Sequence, residues 1–241
     1  MSTTNVASPR VVSRAEWLDK RKSLLAKEKE LTRLGDQLSA ERRSLPWVKV
    51  DTHYVFDGPD GNETLADLFK DRSQLLVYHF MFGPEWDEGC PTCSLVADNI
   101  DPNVVHLAQR DVALVVVSRA PVPKIEAFKK RMGWRFKWVS SFGNDFNYDY
   151  GVTFKDEAVA KGNYYNYNTS EFPRDEAPGL SVFFKDSTGN IYHTYSSYAR
   201  GPEFLVGVYN YLDLVPKGRD ETGLPFTMAW IRHHDRYGQG L

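Results

Sequence analysis

The chain of 241 residues contains two cysteines, and they stand three apart in Cys90-Pro91-Thr92-Cys93. A pair at this spacing can exchange disulfides, hold a soft metal ion, or sit inert in a core. Pro91 points toward exchange. Proline suits the first turn of a helix, where a backbone N–H has no partner, so Cys90 falls at a helix N-terminus. Unpaired N–H groups and the positive end of the macrodipole favour a thiolate there. Cys93, one helical turn later, is placed to resolve a mixed disulfide. The sequence has no second cysteine pair to complete a structural zinc site. Two cysteines are also too few for a disulfide scaffold.

Several elements position this pair. Leu75 to Phe82 is an apolar and aromatic run suited to a strand buried on both faces, and it leads directly into the dithiol. Cys90 to Ile100 reads as a helix, followed by helical residues from Val104 to Gln109. Val112 to Ser118 (Val-Ala-Leu-Val-Val-Val-Ser) has the β-branched continuity of a central parallel strand. Ile125 to Met132 reads as a helix and Phe136 to Ser140 as a short strand. Leu180 to Phe184 and Ile191 to Tyr195 form a hairpin about Asp186 to Asn190, and Glu203 to Leu212 is helical. This alternation describes an α/β domain that finishes antiparallel. Ahead of it lie short strands from Trp47, a turn at Asp57 to Gly61 and a short helix from Glu63 to Phe69. The aromatic stretch Phe142 to Phe172 reads as a long excursion, of a kind that is often functional. Its tyrosines, from Tyr148 to Tyr167, either hold a ligand in a binding protein or cover the sheet.

The N-terminal segment is different in kind. Ser13 and Glu16 suit a capping box, and the charged stretch that follows runs as a helix to about Ser44. Trp17, Leu24, Leu31 and Leu38 recur every seven residues, with Leu18, Leu25 and Leu34 beside them. The stripe fits either a homodimer seam or an arm packed on its own domain. The expected division is a tail and helical arm over 1–45, the α/β domain over 46–215, and a C-terminal tail over 216–241.

Composition narrows the function classes. With 41% hydrophobic, 14% aromatic and 26% charged residues the chain can furnish a sizeable core, and its net charge of −2 offers no footprint for nucleic acid. Neither a signal-peptide core nor a run of about 18 apolar residues is visible, so a cytoplasmic protein without membrane partners is expected.

The dithiol arrangement, together with Tyr78-His79-Phe80-Met81-Phe82-Gly83-Pro84, Trp86-Asp87-Glu88-Gly89-Cys90-Pro91, Tyr209-Asn210-Tyr211-Leu212-Asp213 and Arg232-His233-His234-Asp235, resembles the bacterial family DUF899 over nearly the whole chain. The resemblance implies a thioredoxin-like fold, a central mixed sheet flanked by helices. It also implies a dithiol–disulfide oxidoreductase of unknown substrate, with no resident cofactor. Such an enzyme would act on a disulfide-containing protein or a small-molecule thiol and draw on an external reductant. In thioredoxin-like proteins a proline placed as Pro178 is, before the strand Leu180 to Phe184, adopts a cis bond facing the dithiol. Pro178, Pro91, Thr92 and Trp86 then border the substrate groove. Thioredoxins keep a buried acid near the second cysteine to relay protons. Alignment on Val77 puts Tyr78 there and alignment on Phe80 puts His79 there, so His79 is either a relay or a satisfied core histidine. Glu85, Asp87 and Glu88 precede Cys90. They would oppose its ionisation, relay protons (Asp87 foremost), or face solvent.

Two alternatives stay open. Cys90, Cys93 and either His233 or His234 form a donor set suited to Cu(I) or Zn, although the two adjacent histidines diverge by about 100° on a helix and cannot chelate together. Cys90-Pro91-Thr92 and Asp149-Tyr150-Gly151-Val152 are also similar to peroxiredoxins. A peroxidase, however, would need a Thr or Ser where Asp87 stands and an Arg where Leu180 stands.

Overall fold

The computed structural model describes residues 9–155, 165–167 and 172–238. These divide into two compact units, one of residues 9–46 with 212–220, the other of residues 47–211 with 221–238. In the first, helix α1 (Arg14–Arg43) starts where Ser13 Oγ accepts the Glu16 N–H at 3.2 Å, and no side chain along it is buried.

The second unit is built on one sheet. Its strands are β1 (Val48–Lys49), β2 (Val55–Gly58), β3 (Gly61–Thr64), β4 (Gln74–His79), β5 (Val112–Ser118), β6 (Lys137–Ser140), β7 (Gly179–Lys185) and β8 (Ile191–Tyr198), in the order β1-β8-β7-β4-β5-β6-β2-β3. Strands β4, β5 and β6 are parallel, while β7 is antiparallel to both β4 and β8. The order β8-β7-β4-β5, with β7 alone reversed, is the thioredoxin-like arrangement. The helices are α2 (Leu65–Leu68), α3 (Pro91–Ile100), α4 (Val104–Ala108), α5 (Val122–Met132), α6 (Phe146–Asp149) and α7 (Gly207–Leu212). No helix among the described residues is long and apolar enough to cross a membrane.

Strand alternation sorts the core into two layers. Leu75, Val77, Val115, Val117 and Val139 face α2 and α6 in a cluster with Phe56, Leu68 and Phe146. The intervening positions face α3 and α5, where Phe80 lies 4.7 Å from Trp138 and Phe128 lies 5.7 Å from Trp134, centroid to centroid. Offset and edge contacts of this kind suit the quadrupoles of packed rings.

The sequence expectations need adjusting at three places. Glu63 and Thr64 pair with Phe56 and Val55 in a hairpin, so the short helix begins only at Leu65, capped by Thr64 and Asp67. The excursion over 142–172 contains α6 and a bridge from Thr153 to Glu176, and its residues 156–164 and 168–171 lie outside the described set. The stretch past 216, expected as a tail, splits: 221–238 belongs with the sheet unit, where Ile231 and His233 are buried. Short turns without periodicity hid that packing from a sequence reading.

Candidate active site

The dithiol sits where β4 gives way to α3. Cys90 is the N-cap of α3, with Pro91 in its first turn. The Cys90 N–H donates to the Met81 carbonyl at 3.0 Å, which ties the cysteine to the end of the strand. The loop between them is held from both sides. Lys124 Nζ donates to the carbonyls of Pro84 (2.8 Å) and Trp86 (3.1 Å). Gly89 presses so close to the ring layer that a Cβ there would lie 2.6 Å from Phe80 and 2.8 Å from Phe128, so only glycine fits.

The two thiols have opposite electrostatics. The Cys93 thiol, foremost, with the Thr92 hydroxyl at 3.0 Å and the backbone N–H groups of Cys93 and Thr92, hydrogen-bonds the Cys90 sulfur. These donors overcome the cost of partial burial and bring the Cys90 pKa down to about 6. Cys93 is fully buried. Desolvation, and then its bond to Cys90, push its thiol well above the usual range. Both cysteines are free. The pair is therefore a partly exposed, acidic thiol beside a buried, protonated one.

A cavity of about 110 Å³ opens onto Cys93, lined mainly by apolar groups that include Tyr78, Val96, Pro178, Val206 and Met228. Pro178 and Thr92 thus border the dithiol together. The Pro178 bond is trans, since no cis peptide occurs among the described residues. Trans is the intrinsically favoured X-Pro isomer, by about 0.5–1 kcal/mol, and sequence position alone does not override that preference. Tyr165 fixes the proline, donating its hydroxyl to the Pro178 carbonyl at 2.6 Å.

The choice between Tyr78 and His79 is settled by parity along β4. Tyr78 points toward α3, and its hydroxyl hydrogen-bonds the Cys93 sulfur. His79 points to the opposite face, stacked on Phe146 at 5.5 Å, with Nε2 at 2.9 Å from Ser181 Oγ and Nδ1 at 3.4 Å from Asn147 Oδ1. Burial lowers its pKa to about 4. It is a core histidine, and the proton-relay expectation for it is withdrawn.

On the other side of Cys90 lies a second cleft, of about 270 Å³, bordered by Trp86, Pro91, Arg174, Arg232, His233 and Arg236 along with Glu88 and Gly89. Asp87 and Glu85 are exposed and lie outside this lining. Glu88 is neutralised: it accepts from Arg131 Nη1 at 2.7 Å and from Arg236. Arg131 also binds Asp235 through two hydrogen bonds, at 2.8 and 3.0 Å. His233 Nε2 lies 2.8 Å from the Gly89 carbonyl, an acceptor only, so this nitrogen carries the proton; Nδ1 faces Arg131 at 3.3 Å. His234 instead pairs with Asp98 at 2.7 Å. Both histidines are thus committed elsewhere, and no group of three metal-ligating side chains converges among the described residues. Leu180 lies on β7 opposite Tyr78, with no guanidinium in its place. The arginines that line the cleft with Cys90 are instead Arg174, Arg232 and Arg236, from segments whose pattern gave no signal. Of the excursion tyrosines, Tyr150 packs against His79 and Phe146, and Tyr167 donates to the Ser196 carbonyl at 2.8 Å, so both cover the sheet.

A family model described as "Bacterial protein of unknown function (DUF899)" matches residues 6–237. No curated protein matches the chain. Similar solved structures include a PrxQ mutant from Xylella fastidiosa, at 15% identity over 66% of this chain and 87% of that one, with a TM-score of 0.45. Peroxiredoxin Q from Xanthomonas campestris gives 13% identity, 73% and 99% coverage and a TM-score of 0.47. The peroxidoxin BcpB from Mycobacterium tuberculosis gives 12%, 68% and 94%, and 0.44.

Proposed function

The chain belongs to the bacterial DUF899 family, and we propose that it acts as a dithiol–disulfide oxidoreductase through Cys90 and Cys93. The observation that carries this reading is the asymmetry of the pair: a partly exposed thiol with its pKa near 6 beside a buried, protonated one. At pH 7 a pKa of about 6 leaves roughly nine-tenths of Cys90 as thiolate.

In the reaction, the Cys90 thiolate attacks one sulfur of a substrate disulfide. A Cys90–substrate S–S bond forms, the substrate S–S bond breaks, and one half leaves as thiolate. Cys93 passes its proton to that leaving group and attacks Cys90 Sγ. The second half then leaves as thiolate and the Cys90–Cys93 disulfide remains. Two electrons have moved to the substrate, and an external dithiol reductant returns them.

Trapping tests this sequence. With 2-hydroxyethyl disulfide, Cys93→Ser should accumulate an adduct on Cys90 that intact-mass measurement detects, while Cys90→Ser should stay unmodified. An adduct on Cys93 in Cys90→Ser, formed at a similar rate, would reverse the assignment.

A peroxide-reducing reading draws on one observation, that Thr92 Oγ1 lies 3.0 Å from the Cys90 sulfur, where a peroxide would need a donor, in a cleft that Arg174 also lines. It requires peroxide to oxidise Cys90 faster than a free thiol of equal pKa.

A further inference from the structure

The cleft in front of Cys90 is lined by three arginines, Arg174, Arg232 and Arg236, and by one carboxylate, Glu88. Outside the lining, Arg131 pairs with both Glu88 and Asp235, and Arg236 pairs with Glu88 as well. Those two acids are engaged by Arg131 and Arg236. Arg174 lies over the Trp86 ring at 5.5 Å, and Arg232 Nη1 donates to the carbonyls of Ala229 (3.0 Å) and Ile231 (2.9 Å). Among the described residues neither has a carboxylate partner. Both are exposed, and they share the cleft lining with the Trp86 ring, Pro91 and Cys90. Carbonyls and rings leave the net positive charge of a guanidinium in place, and a planar fork is suited to a carboxylate.

We propose that this cleft selects small disulfides bearing carboxylates, with Arg174 and Arg232 holding the anionic ends while the S–S bond lies against Cys90. The inference rests on the dithiol reading and adds a substrate class to it. The volume of about 270 Å³ suits a small molecule and not a folded segment. The same cations favour the chemistry. Attack by the Cys90 thiolate forms one S–S bond, breaks another and expels a second thiolate; the guanidiniums stabilise that developing charge as well as the carboxylates. Cys93, having passed its proton to the first leaving group, then attacks Cys90 Sγ and releases the bound half as its thiolate, and an external dithiol supplies the two electrons.

Three symmetric disulfides of similar size isolate charge: 3,3′-dithiodipropionate (anionic), 2-hydroxyethyl disulfide (neutral) and cystamine (cationic). Their single-turnover rates with the reduced full-length protein should fall in that order. At low ionic strength the anionic probe should lead the neutral one by about tenfold, and added salt should shrink the gap. Arg174→Glu and Arg232→Glu should each erase or invert the order. Both variants should also slow neutral 2-hydroxyethyl disulfide, through lost stabilisation of the leaving thiolate, but by a smaller factor than they slow the anionic probe. Equal rates for all three probes would overturn the substrate class and leave the dithiol reading intact. Failure to reduce any of them, with Cys90 still alkylating rapidly, would remove the dithiol reading and this inference with it.

Discussion

The two sides of the dithiol are built from different material. In front of Cys90 the walls are guanidiniums, an indole ring and a histidine bonded to the Gly89 carbonyl; behind Cys93 they are mainly valine, proline, methionine and tyrosine side chains. One helical turn separates two identical thiols, yet one is drawn down to about 6 and the other is pushed far up. The difference teaches that acidity here is a property of position. The helix N-terminus and its donors favour charge on the first sulfur, and the apolar cavity forbids it on the second.

The contrast can be broken most severely at the nucleophile. Cys90→Ser should abolish multiple-turnover disulfide reduction, because the remaining thiol is buried and neutral. A coupled assay with an external dithiol reductant reads this loss. Counting thiols with iodoacetamide, whose thioether on Cys90 the second thiol cannot displace, should then find one rapidly modified cysteine in the native protein and two after denaturation, and equal rapid labelling of both would erase the distinction between the two sides.

His79 gives a smaller effect, on stability. Between pH 6.5 and about 4 the unfolded chain takes up a proton that the folded chain refuses. Stability is therefore fully present above pH 6.5 and falls as the pH drops through that window, by about 3 kcal/mol. Urea titrations at pH 7 and pH 4.5 would show it, and His79→Gln should flatten the slope. Gly89→Ala, which forces a Cβ into Phe80 and Phe128, should cost about 1–3 kcal/mol by overpacking and slow Cys90 alkylation. Asp87→Asn should be the weakest of all, changing alkylation less than twofold, since this exposed carboxylate lies outside the cleft.

What the sequence made legible follows from how local each signal is. Cys90, Pro91 and Cys93 carry their geometry within one turn of helix, and the β-branched run Val112 to Ser118 marks the central strand directly. The Tyr78 and His79 ambiguity was one of parity: a one-residue shift along a strand exchanges faces, and only tertiary packing fixes which face meets α3. Arg174, Arg232 and Arg236 were illegible as site residues because they reach the cleft through turns and irregular segments without periodicity, from positions roughly 80 to 145 residues beyond Cys90. His233 was singled out, but as a metal ligand. Its role as a brace for the Gly89 carbonyl depends on the chain folding back across α5, where Arg131 meets Asp235.

The most direct test of the central claim is the rate of Cys90 alkylation by iodoacetamide as a function of pH, followed by peptide mass. The rate should rise through a midpoint near pH 6 and level off above about pH 7, as expected for a thiolate held by the Cys93, Thr92 and backbone donors. A midpoint at or above about 8.5, the value of a free thiol, would contradict an activated nucleophile at Cys90.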